Sequence, residues 1–78
     1  MIEFNASSIM WRNQVTYEEL ESWLFNNVGP GGRWLHGHNG DEIEPELGDE
    51  WGTFSRVGYI MITIVDKQKA VWFKLRWS

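Results

Sequence analysis

A chain of 78 residues without cysteine has neither disulfides nor thiolate zinc sites, so one small core must offset the chain entropy. Its formal charge of −4 disfavours nonspecific attraction to nucleic acid, and no run approaches the ~20 apolar residues of a membrane span. Six Trp, four Phe and two Tyr can fill such a core, and they are more than it easily hides, so some rings are expected where partners bind.

The first residues, Met1 to Phe4, alternate Ile2 and Phe4 against Glu3, a short strand signal. They lack the basic start and apolar run of a signal peptide, and a single cytoplasmic domain over 1–78 is expected. The stretch from Ile9 to Val15 carries no assignable pattern. From Thr16 the signals converge. Thr16 stands three residues before Glu19, the spacing of a capping box, and Glu18, Glu19 and Glu21 sit where a helix dipole favours carboxylates. Tyr17, Leu20, Trp23, Leu24 and Val28 form one apolar stripe, and Gly29 with Pro30 stops it. The pattern predicts a helix over 17–28.

Residues 33–38 suit a short strand with Trp34, His36 and His38 on one face. Residues 41–50 then hold six of the eleven acids and no base, and Pro45 with nearby glycines predicts a long acidic loop, 39–51. The apolar, β-branched run 57–65 predicts a central strand buried on both faces.

Residues 66–77 read two ways. As a strand, Val71, Phe73, Leu75 and Trp77 alternate without a break. As a helix, Asp66 is the N-cap and Ala70, Phe73 and Trp77 share a face, against which stand Lys67 and Lys69 in the first turn. Periodicity favours the strand. The ending Ala70-x-x-Phe73-Lys74-Leu75-x-Trp77, after an apolar strand and a turn, resembles that of many small uncharacterised proteins of tailed bacteriophages. The resemblance spans about a dozen positions. In those proteins the turn is richer in acids than the Asp-Lys-Gln-Lys found here, which implies a helix N-terminus, and the helix is the reading adopted.

Three constellations carry chemistry. His36 and His38 with neighbouring carboxylates are the one metal-like group, although two surface histidines beside a solvated loop account for the same residues, and no metal or other cofactor is assigned. Lys67, Lys69, Lys74 and Arg76 interleave with Trp72 and Trp77, a pattern that can stack bases but more simply covers packed rings with cationic stems. Asp41, Glu42, Glu44, Glu46, Asp49 and Glu50, flanked by Trp34 and Trp51, form a candidate surface for a protein partner with a basic patch. The serines lie in no nucleophile-elbow context, and a chain this small has little wall for an enclosed substrate, so catalysis is not expected. The expected architecture is α+β: a small sheet of about three strands with one or two helices packed on one face. The expected role is that of a phage-type accessory protein binding a macromolecule through the acidic loop, and inhibition of a host nucleic-acid enzyme by charge mimicry is its sharpest form. The alternative is a homo-oligomeric structural protein that buries its surplus rings against a second copy.

Overall fold

The strand expected at the start of the chain is β1, Ile2–Asn5, and it passes directly into a helix, α1, Ala6–Asn13. Asn5 makes that transition: its backbone is extended while its side chain accepts the Ser8 N–H at 3.0 Å, which caps the helix. The computed structural model describes residues 2–33 and 48–77. The expected helix follows as α2, Tyr17–Asn27, one residue shorter than the sequence pattern. Its capping box is complete. Thr16 Oγ1 accepts the Glu19 N–H at 3.3 Å and Glu19 Oε2 accepts the Thr16 N–H at 3.1 Å.

Three further strands, β2 Gly31–Arg33, β3 Trp51–Arg56 and β4 Tyr59–Ile64, precede the final helix, α3, Lys67–Trp77. The sheet order is β1-β4-β3-β2, with β2 parallel to β3 and the other pairings antiparallel. The α+β class and the small sheet therefore stand, with four strands and three helices among the described residues. β3 lies outside the expected strands, since its first residue, Trp51, closes the acidic run. The strand expected over 57–65 starts two residues late. Val57 and Gly58 form a two-residue turn with φ of 46° and 85°, the left-handed pair that a tight hairpin demands.

A β-branched residue in that conformation is an outlier, and Val57 buries nothing in return, being 91% exposed. Val57→Asn is accordingly expected to stabilise the protein by about 1 kcal/mol, raising the melting temperature by several degrees. An unchanged or lower melting temperature would show that the valine side chain makes a compensating contact.

One face of the sheet carries the core. Register places Trp51 opposite Ile64 and Phe4 opposite Ile62, and these side chains meet Ala6 and Ile9 of α1, Leu20 and Leu24 of α2, and Ala70, Phe73 and Trp77 of α3. Phe73 is the hub, fully buried, with its ring 4.8 Å from Phe4 and 5.8 Å from Trp23. Thr63 and Phe54 are buried on the opposite side of the pleat, so β4 is covered on both faces over its second half, as expected, but not at Tyr59. No helix of the described residues is long and apolar enough to cross a membrane.

The reading of residues 66–77 as a helix is correct. Asp66 Oδ1 accepts the Lys69 N–H at 3.0 Å, and the Asp66 carbonyl accepts that of Ala70 at the same distance. The alternation that favoured a strand arises because α3 is apolar on nearly every side. Ala70, Phe73 and Trp77 point inward, while Val71, Trp72 and Leu75 lie on the outer arc. The indole N–H of Trp77 is buried without an acceptor among the described residues, and the Arg76 guanidinium covers its ring at 4.0 Å.

Candidate functional site

The acidic stretch re-enters the described chain at Gly48, and its last residues are drawn into the fold. The Glu50 N–H donates to Pro30 O at 2.7 Å, the Glu50 carbonyl accepts from Val65 N–H at 3.0 Å, and its carboxylate meets Lys69 Nζ at 2.8 Å. The same ammonium donates to Val28 O at 2.8 Å. Lys69 thus sits at the C-terminal end of α2, where the helix dipole favours a cation. That answers the objection raised by a lysine in the first turn of α3: its charge serves a neighbouring helix instead of opposing its own.

Trp51 follows directly. It is fully buried, donates its indole N–H to Gly29 O at 2.8 Å and packs edge-on against Phe25 at 5.1 Å between centroids. Gly31 explains how the ring fits. A methyl group at Gly31 would collide with the Trp51 indole and carbonyl, so only glycine lets β2 approach this closely.

One of the candidate contact residues is corrected by these contacts. The Trp51 ring is a core element with no surface to offer, whereas the Glu50 side chain pairs with a cation of its own chain and stays 38% exposed. Asp49 is half-buried beside them and has an interaction partner of its own. Trp34, His36, His38, Asp41, Glu42, Glu44 and Glu46 lie outside the described residues. Among the described residues, no group of three His, Asp or Glu is placed to hold a metal.

Lys69→Met keeps the aliphatic stem and removes the charge, and is expected to cost about 1–2 kcal/mol by urea denaturation, with part of the loss disappearing at high salt. Since the pair is only partly shielded from water, the lower end of that range is expected. A loss below about 0.3 kcal/mol would reduce the contact to an ordinary surface pair.

A second polar contact joins α2 to β3. Tyr17 Oη and Thr53 Oγ1 are 2.9 Å apart, in a cleft also lined by Arg33, Ser55 and Ile60. Burial raises the Tyr17 pKa above its ordinary value of about 10, helped by the Glu21 carboxylate, while Thr53 and Arg33 act the other way. A raised folded-state pKa means that the native state holds its proton longer than the unfolded chain. Stability is therefore complete below about pH 10 and falls as pH rises through the folded value. Tyr17→Phe is expected to remove this alkaline loss, as pH-dependent urea melts would register.

What the sequence reasoning anticipated only in number is where the surplus apolar side chains lie. Trp11 on α1 is 81% exposed, and Leu75, Val71 and Trp72 on α3 are 74%, 48% and 45% exposed. In the α3 trio Leu75 stands three residues after Trp72 and four after Val71, the spacings at which helical side chains are neighbours. The signal was present in the failure of α3 to show a clean amphipathic stripe. Compared with known proteins, the chain matches no family model, no curated protein and no solved structure.

Proposed function

We infer that this protein works by binding another macromolecule and not by catalysis, as an accessory protein of the phage type its chain end resembles. The observation that carries the reading is the outer face of α3, where Val71, Trp72 and Leu75 form an apolar patch on a chain with ample polar residues to cover it. Tryptophan and leucine exposed side by side cost solubility unless something meets them. The carboxylates of Asp41, Glu42, Glu44 and Glu46 fit the same reading as steering charges that speed encounter with a basic partner. The groove of a host nucleic-acid enzyme has that chemistry. The same patch also supports the second reading, burial against another copy of the chain.

Capture from a bacterial host lysate, repeated across a salt series, tests the proposal. The expected result is one retained species whose binding weakens as salt rises and when the four carboxylates are neutralised. Retention that ignores both changes contradicts the steering role. Retention of nothing, with sedimentation showing concentration-dependent dimers, selects the second reading.

A further inference from the structure

A cleft of about 550 Å³ is bounded by β1, α1 and α3, within the ~300–1,000 Å³ range of ligand sites. Ile2 and Phe4 of β1, Ile9 of α1, and Ala70 and Val71 of α3 give it an apolar lining. Ile2 and Phe4 stand opposite the core residues Ile64 and Ile62, so both side chains lie on the helix-covered face of the sheet.

The charged side chains of the lining narrow the choice of occupant. Arg12, Lys67 and Lys74 donate hydrogen bonds and accept none, and none of them is paired with another described residue. The one carboxylate, that of Glu3, is held by Arg56 at 3.0 Å. A peptide in this cleft needs acceptors for its own N–H groups, and the lining side chains offer only Glu3, which is already engaged. An apolar body with an acceptor-only, anionic head leaves nothing unmatched.

The three cations are not equivalent. Lys67 and Lys74 stand seven residues apart on α3, two turns or roughly 10 Å. Asn13 Nδ2 donates to Trp77 O at 3.0 Å and joins the last turns of α1 and α3, so Arg12 belongs to the Lys74 end. Ile2 belongs to the other end, opposite Ile64 and close to where α3 begins at Lys67.

We propose that this cleft binds a free single-chain amphiphile with an anionic head, of the class of a medium-chain carboxylate. Arg12 and Lys74 hold the head group, and the chain runs past Ile9 and Phe4 toward Ile2. The site shares only Val71 with the outer patch of α3 and does not depend on the reading of that patch.

Decanoate, titrated into the isotopically labelled full chain, is the probe. Saturable amide shifts are expected over Ile2–Phe4, Ile9–Arg12 and Ala70–Lys74. Decanoate should bind roughly tenfold tighter than octanoate, the contribution of two buried methylenes. Arg12→Gln with Lys74→Gln is expected to weaken decanoate about tenfold. Lys67→Gln, about a Debye length from the head group, is expected to change it less than about threefold. None of these cations has a partner among the described residues, so melting should hold within a few degrees. Trp72→Ser with Leu75→Ser is expected to leave decanoate affinity unchanged. Equal binding of decyltrimethylammonium overturns the proposal, as does unchanged affinity in the Arg12–Lys74 variant. Shifts confined to Trp72 and Leu75 also overturn it. So does decanoate that moves none of the named amides, whether or not phosphatidylglycerol vesicles move them.

Discussion

Trp51→Ala is expected to destabilise the protein by about 3–5 kcal/mol, a large part of the ~5–10 kcal/mol available to a domain this small. The ring is fully buried and lies over Gly31, which has no side chain to collapse into the space, so the cavity stays open. Its N–H is also the donor for Gly29 O at the turn that ends α2, so the substitution strips a hydrogen bond along with the packing. At roughly 4–8 °C per kcal/mol, the melting temperature should drop by well over ten degrees, or the chain should fail to fold. Trp51→Phe separates the two terms: it keeps most of the volume and loses the donor, for about 1–2 kcal/mol. Were Trp51 a partner contact flanking the acidic stretch, alanine would leave the melting temperature alone and remove binding instead. Thermal melts of the two variants decide between these roles.

Phe73→Ala should cost a similar amount, about 3–5 kcal/mol, for a different reason. Phe73 is where α3 meets both the sheet edge and α2, through Phe4 and Trp23, and Trp23 in turn stands edge-on to Trp77 at 6.5 Å. Removing it unseats the helix at its middle and leaves Ala70 and Trp77 to hold either end. Hydrogen exchange should accelerate throughout α3 before the sheet opens, which tells loss of helix docking from uniform destabilisation. A cost below about 1 kcal/mol would mean that α3 contributes little to the core.

The parts of the fold that local chemistry dictates were legible in the sequence. The Thr16–Glu19 capping box, the stripe from Tyr17 to Val28 and the β-branched run ending at Ile64 each need only near neighbours to take effect. What long-range contacts decide was not. β3 hides in Trp-Gly-Thr-Phe-Ser-Arg, whose strand character comes from pairing with β4 and whose first residue also closes an acidic run. α1 was invisible because its cap is an asparagine at the end of a strand. The helix at 67–77 could not be separated from a strand by periodicity, since apolar residues surround its axis. The fact that decides the matter, Lys69 reaching the end of α2, lies 41 residues away in the chain. The candidate site suffered most: Trp51 was taken for the rim of the acidic loop, yet its ring belongs to the core, and the patch on α3 was hidden among rings that the cationic stems were expected to cover.

A serine variant of the α3 patch, Trp72→Ser with Leu75→Ser, examined side by side for melting and for partner capture or dimerisation, bears most directly on the whole picture. If those side chains exist for association, the variant melts within a few degrees of the parent and no longer retains its partner or its second copy. A variant that unfolds early while still associating as before would show that the outer face of α3 belongs to the fold and that binding happens elsewhere.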